Sequence, residues 1–233
     1  GARVLLSARS EGKLAEARAE IVEELRNIGY PRPESRVKIL GDIDVGDPEA
    51  LNRLHDHAVA ELGHVDFLIN NAGISGAEEM VVDMTRADWD RTMEANLISN
   101  YSLIRKFSPA MKAGGKGSIL NVSSYFGGEK YVAVAYPNRA DYAVSKAGQR
   151  VLAEILSRHL GPEIQINALA PGPVDGARLR GSAEAPGLFD RRGLLVLENK
   201  RLNEVHKSIL SGMDMGFSAD DVLLLASNAI DAL

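Results

Sequence analysis

Tyr142 and Lys146 stand four residues apart, the spacing that sets two side chains one above the other on a helix face. An ammonium beside a phenol favours the phenolate, which suits the tyrosine to exchange a proton with a substrate. Upstream, an apolar stretch ends in Asn121-Val122-Ser123-Ser124, so a serine hydroxyl arrives at the end of a strand. Ser124 would hydrogen-bond a carbonyl oxygen, Tyr142 would protonate that oxygen as hydride arrives at carbon, and Lys146 would hold the tyrosine. Together they stabilise negative charge developing on oxygen. The expected chemistry is carbonyl reduction or its reverse.

The 233 residues contain no cysteine, which removes thiolate catalysis and disulfides from this chain and fits a cytoplasmic location. The five histidines, His55, His57, His64, His159 and His206, lack the spacing of a metal site, so no metal is expected. A hydrophobic share of 45% suits a soluble domain. The formal charge of -5 is spread without a basic run, which argues against nucleic acid, and no apolar run is long enough to span a membrane. Gly1 is not preceded by a methionine and the chain opens almost directly on a strand, as a piece of a longer protein would.

The elements that must carry these groups alternate. Arg3 to Ala8 reads as a strand, followed by a helix with Ser10 as its cap and Leu14, Ala17, Ile21, Val22 and Leu25 at helical spacing. Arg36 to Leu40 is a second strand, and Asp47-Pro48 opens a helix that Gly63 closes. Val65 to Ile69 is a third strand. A long helical region is expected from about Thr85, which has capping-box spacing to Asp88, to about Met111. Ser118 to Val122, a helix over Tyr142 to Leu160 and a strand over Ile164 to Ala170 complete the pattern. The segment 176–215 fits a solvated helical excursion and a lid over the substrate equally, and a last apolar helix is expected over Val222 to Leu233. Strands separated by helices at this spacing imply an α/β fold, a doubly wound parallel sheet whose chemistry lies at the carboxyl ends of its strands.

The ordered set Asn70-Asn71-Ala72-Gly73, Asn96, Ser124, Tyr142-x-x-x-Lys146 and Pro171-Gly172 resembles the short-chain dehydrogenase/reductase family over essentially the whole chain. The resemblance implies a Rossmann-like sheet with helices on both faces, in one incomplete domain over residues 1–233. The family's first strand and glycine-rich loop would precede Gly1, and its last strand would follow Leu233. It implies that Asn96 completes a proton relay through Lys146 and that Asn71, Ala72 and Gly73 line the adenine side of a dinucleotide. Asp44 and Val45 would contact the adenine, Pro171 and Gly172 would lie near the nicotinamide, and Tyr142 and Lys146 would touch its ribose. Arg9, directly after the first strand, can pair with a 2′-phosphate, so NADPH is the expected cofactor. Without the glycine-rich turn the pyrophosphate lacks its amide cradle.

The long interval from Ser124 to Tyr142 departs from the family's usual spacing. That loop, Tyr125 to Lys130 and Tyr136 to Asp141, together with Asn96 to Ser102, Gly161 to Asn167, Leu188-Phe189 and Glu198 to His206, resembles more closely the bifunctional malonyl-CoA reductases. Specifically, it is similar to the first reductase domain of their C-terminal half. That implies NADPH-dependent reduction of malonyl-CoA to malonate semialdehyde with release of CoA, on the way to 3-hydroxypropionate. Further reductase domains of the same polypeptide would be partners. More sequence is expected near Leu210-Ser211.

With no cysteine to acylate, hydride would reach the thioester carbonyl directly. The malonyl carboxylate calls for a cation, and Arg139, Arg178 and Arg180 are the candidates, with Arg139 and Arg178 first; each taken singly fits a solvated loop arginine at least as well, and at least one is expected to be functional. An NADPH-dependent ketoreductase or alcohol dehydrogenase acting on a hydroxy- or 3-oxoacyl substrate shares the same chemistry, and a catalytically silent scaffold domain is a third reading. The family implies a homodimer through the helices near 86–111 and 142–160, with Met93, Leu97, Leu103, Val151, Leu152 and Leu156 as its candidate apolar surface.

Overall fold

A computed structural model describes residues 2–128 and 136–172. The expected lid over 176–215, Arg178, Arg180, the last helix, the junction at Leu210-Ser211 and part of the long loop lie outside the described residues. The chain divides into two compact units, one formed by residues 5–14 and 39–171 and the other containing residues 15–38.

Strands β1 (Val4–Ser7) and β2 (Val37–Leu40) pair in a two-stranded sheet, while β3 (Phe67–Asn70), β4 (Gly117–Val122) and β5 (Ile164–Leu169) form a parallel sheet in the order β3-β4-β5. Strand β4 is central and Ile119 within it is fully buried. Its apolar Ile119-Leu120 pair is flanked by the buried polar residues Ser118 and Asn121. The core of the larger unit joins Ile43, Leu51 and Leu54 to Leu103, Ile104, Phe107, Ile119, Ile164 and Ile166.

Helix starts and stops follow their side chains. Helix α1 (Glu11–Asn27) begins after Ser10, whose hydroxyl accepts from the Lys13 amide at 3.3 Å. A short helix α2 (Pro33–Arg36) takes the arginine expected to open β2, because Pro33 presets its first turn. Helix α3 (Pro48–Leu62) is capped by Asp47, which accepts from the Glu49 amide, and closes on Gly63 at φ +77°. In α4 (Arg86–Met93) the Thr85 hydroxyl accepts from the Asp88 amide at 3.1 Å, one arm of the expected capping box.

The helical region expected from Thr85 to Met111 runs from Arg86 to Ala113, with one change of winding inside it. After α4 one wide turn of π-helix spans Glu94–Ile98, and α5 (Ser99–Ala113) continues from it. Apolar periodicity does not register one extra residue in a turn. Helix α6 (Ala140–Leu160) starts two residues before the tyrosine, and α5 and α6 both pack on the three-stranded sheet.

A buried face within the domain fits the apolar residues offered for pairing equally well, and the packing sorts them. Leu103 is buried, Leu152 and Leu156 lie against the core, Met93 and Leu97 are half-buried, and of that set Val151 is the exposed one. The apolar side chains left exposed on α5, α6 and the wide turn are Ile98, Tyr101, Val144, Val151 and Ile155.

Candidate active site

Strand β4 delivers Ser124 and helix α6 delivers Tyr142 and Lys146, and the contacts between the two are polar and close. The Lys146 ammonium donates to the Val122 carbonyl at 2.8 Å, and the Ser123 hydroxyl donates to the Lys146 carbonyl at 2.6 Å. Ser124 is buried and caps a single 3-10 turn over Tyr125–Gly127, its oxygen accepting from the Phe126 amide at 3.3 Å. That bond uses the oxygen as acceptor and leaves the hydroxyl hydrogen to donate.

The turn lies directly on the helix. A Cβ at Gly127 would stand 2.5 to 2.7 Å from the Ala147 nitrogen and the Lys146 carbonyl oxygen, so only glycine lets the two backbones meet there. Phe126 then reaches the edge of the Tyr142 ring, with centroids 5.7 Å apart. On the Tyr142 ring the Arg139 guanidinium sits 4.7 Å from the centroid and the Lys146 ammonium 5.8 Å. Two cations therefore flank the phenol ring.

Asn96 occupies the middle of the wide turn and is fully buried. Its side chain grips Ile74 at both backbone groups, accepting from the amide at 2.7 Å and donating to the carbonyl at 3.0 Å, and it donates also to the Ser145 hydroxyl at 3.0 Å. A Cβ on Gly73 would lie 2.8 Å from the Asn96 carbonyl oxygen and 3.5 Å from the Lys146 ammonium. The structure thus brings Gly73, Asn96 and Lys146 together. Asn70 and Asn121 pair across β3 and β4 at 2.9 Å, which fixes the strand ends below them.

Arg9 and Asp44 are both exposed and follow Ala8 and Ile43, which are joined by a backbone hydrogen bond of 3.2 Å, so they stand side by side beyond β1 and β2. Asp44 accepts from the Gly46 amide, and Val45 packs on the core. Asn71 is half-buried and Ala72 exposed at the end of β3. Pro171 accepts from the Tyr125 amide at 3.0 Å, which brings it to the serine turn, and Gly172 follows it in the chain. Among the described residues no cluster of side chains could hold a metal ion.

Arg139 is not a solvated loop arginine. Its side chain is 3% exposed, and its guanidinium pairs with Glu78 at 2.7 Å and lies over Phe126 as well as Tyr142. Glu78, Thr92, Asp141 and Gln149 are site residues that sequence reasoning missed. Each of the four meets its partner from a distant segment, which no local pattern records.

Residues 1–186 match the family model described as short chain dehydrogenase. The chain belongs to the short-chain dehydrogenase family. It is 34% identical over 194 residues to trans-4-hydroxycyclohexanecarboxylate dehydrogenase of Sinomonas cyclohexanicum, covering 80% of this chain and 70% of that protein. It superposes with a TM-score of 0.78 and 56% identity on the C-domain of a bacterial malonyl-CoA reductase solved with NADP. That match covers 97% of this chain and 34% of the other, so the chain spans about a third of the C-domain it matches there. A metagenomic short-chain oxidoreductase in complex with NADP superposes with a TM-score of 0.63 and 30% identity, over 75% of this chain and 74% of the other.

Proposed function

We propose that this chain carries the thioester-reducing site of a malonyl-CoA reductase, converting malonyl-CoA to malonate semialdehyde and CoA with NADPH. The single observation that carries the reading is the assembled site of Ser124, Tyr142, Lys146 and Asn96, in a chain 56% identical to a malonyl-CoA reductase domain. The residues suit a dinucleotide. Gly73 leaves open the space beside Asn96 and Lys146 that a Cβ would fill, and Arg9 and Asp44 present a cation and an acceptor side by side. Lys146 and Tyr142 would hold the nicotinamide ribose, Asp44, Val45, Asn71, Ala72 and Gly73 the adenine side, Pro171 and Gly172 the nicotinamide, and Arg9 the 2′-phosphate.

When bound, the reduced cofactor supplies hydride to the carbonyl carbon. Ser124 donates a hydrogen bond to the carbonyl oxygen, and Tyr142 gives that oxygen its proton as charge develops. Lys146, anchored on the Val122 carbonyl, keeps a positive charge beside the phenol, and Asn96 fixes the helix face on which the lysine stands. The hemithioacetal then returns the proton to the site, its carbon–sulfur bond breaks, and CoA leaves as thiolate. Arg139 is the candidate for the malonyl carboxylate. Glu78 holds that arginine, so the substrate carboxylate would take the place of Glu78.

The test uses the intact protein that contains this chain, with malonyl-CoA and NADPH, measuring NADPH oxidation and released CoA together. Release of CoA with one NADPH oxidised per CoA, or two where the same polypeptide reduces the semialdehyde onward, and with kcat lowered about 10²- to 10⁴-fold in Tyr142→Phe, supports the reading. NADPH oxidation with a 3-oxoacyl-CoA but no CoA release from malonyl-CoA would select the ketoreductase reading instead.

Pairing of two copies through α5 and α6 belongs to the same proposal, on the exposed Ile98, Tyr101, Val144, Val151 and Ile155. Ile155→Glu should lower the sedimenting mass to that of one copy. An unchanged mass would remove this face from the assembly.

A further inference from the structure

Asp141 precedes the catalytic tyrosine and is fully buried, yet its carboxylate takes no part in the proton chemistry described above. One oxygen accepts from the Tyr142 amide at 2.7 Å. The other accepts from the Thr92 hydroxyl at 2.7 Å and from the Ala77 amide at 3.0 Å. The three donors come from three segments: the first turn of α6, the last turn of α4, and the loop after β3. Thr92 is itself fully buried.

The loop is therefore pinned at both ends. Asn96 holds it at Ile74 and Asp141 holds it at Ala77, and both pins stand on elements that carry the catalytic groups. Gly76, between the pins, has φ +83°, and a Cβ there would lie 2.5 and 2.7 Å from the two carboxylate oxygens. Only a glycine lets the loop close onto the acid.

The donors also select the acid. Two backbone N–H groups point at the carboxylate, and they can only donate. An asparagine would turn an N–H₂ group towards one of them and leave buried donors facing each other. Alanine would remove the acceptor from both amides and leave the Thr92 hydroxyl only the Asp88 carbonyl.

We propose that Asp141 is a positioning residue of this reductase: its carboxylate clamps the 74–77 loop and α4 to the backbone of Tyr142, and so sets where the phenol stands relative to Ser124 and Lys146. The inference rests on Tyr142 as the proton donor and not on the identity of the thioester. A displacement of about 1 Å at a reacting group costs up to about 100-fold in rate.

The experiment compares Asp141→Asn, Thr92→Val, Thr92→Ser and Tyr142→Phe in the intact protein that contains this chain. Steady-state kinetics are taken with malonyl-CoA and with acetoacetyl-CoA, and amide hydrogen exchange is followed over residues 74–77. The expected result for Asp141→Asn is a kcat lower by about 10- to 100-fold, with the NADPH KM within about twofold of wild type. Exchange at 74–77 should be faster while β4 and β5 remain protected. Thr92→Val should move the same quantities in the same direction by less, and Thr92→Ser, which keeps the hydroxyl, should restore them.

Wild-type kcat in folded Asp141→Asn would overturn the inference, as would unchanged exchange at 74–77. If Asp141→Asn does not fold, Thr92→Val decides: wild-type kcat and exchange in that variant overturn the clamp. Full activity in Tyr142→Phe would overturn both this inference and the reading of the site. An inactive Tyr142→Phe beside a fully active Asp141→Asn would overturn the clamp alone.

Discussion

Two helices of this molecule are held by opposite kinds of polar bond. Helix α6, which carries Tyr142 and Lys146, is fastened by buried groups: Ser123 to the Lys146 carbonyl, Asn121 to the Gln149 carbonyl, the Gln149 side chain to the Asn96 carbonyl, and Asp141 to Thr92 and Ala77. Helix α1 buries Leu14, Ile21, Val22 and Leu25, and apart from the half-buried bond from Arg18 to the Val37 carbonyl its side-chain polar bonds are exposed. Arg26 pairs there with Glu23 and Glu34, all three side chains being at least half exposed. A buried hydrogen bond that loses one partner leaves the other without water, whereas an exposed ion pair returns to solvent at little cost. The difference teaches where the sequence is constrained. At α6 particular atoms must be present at particular places, while at α1 an apolar stripe with a charged surface suffices.

The sharpest way to break that comparison is Gly127→Ala. The new methyl would press on the backbone of α6, which cannot move aside as a flexible side chain could, so the substitution should destabilise by about 1–3 kcal/mol in denaturant unfolding. A wild-type midpoint would show that the serine turn has room above the helix.

Loss of an N-cap comes next. Thr85→Ala should cost about 1 kcal/mol, read as a lowered unfolding midpoint at neutral pH. The Thr85 hydroxyl, and after it the Arg91 guanidinium, hold the Asp88 carboxyl below its ordinary value. Its folded value lies under its unfolded one, so its contribution is complete above the ordinary carboxylate range and disappears as pH falls through the lowered folded value. Stability profiles of wild type and Asp88→Asn should therefore converge at acid pH. Parallel profiles would remove Asp88 from the acid response.

The smallest effect belongs to α1. Arg26→Ala should leave the unfolding midpoint unchanged within error in moderate salt, since both of its pairs are exposed. A clear loss of stability would erase the contrast between the two helices.

Much of this was legible in the residues. Ser10, Asp47 and Gly63 mark helix ends through bonds within four positions, and the Tyr142 to Lys146 spacing is one helical turn. The strand end placed Ser124 with that pair, and the resemblance to a known family added Asn96 and Gly73. What escaped was the chemistry between distant segments. Asp141 meets Thr92 across 49 positions and Ala77 across 64, and Arg139 meets Glu78 across 61. The wide turn at Glu94–Ile98 escaped because one added residue leaves apolar spacing nearly unchanged while rotating the face on which Asn96 sits.

By itself the sequence determined the alternation of strands and helices, the helix caps, and the serine, tyrosine and lysine of the site, because these depend on period, on local hydrogen bonds and on spacing within one turn. Tertiary structure alone decided that Arg139 is buried on the tyrosine ring beside Glu78, that Asp141 receives donors from three segments, and that Leu103, Leu152 and Leu156 face the core. An arginine, an aspartate or a leucine has the same local pattern whether it meets water or a partner, and only the meeting of segments far apart in the chain fixes which.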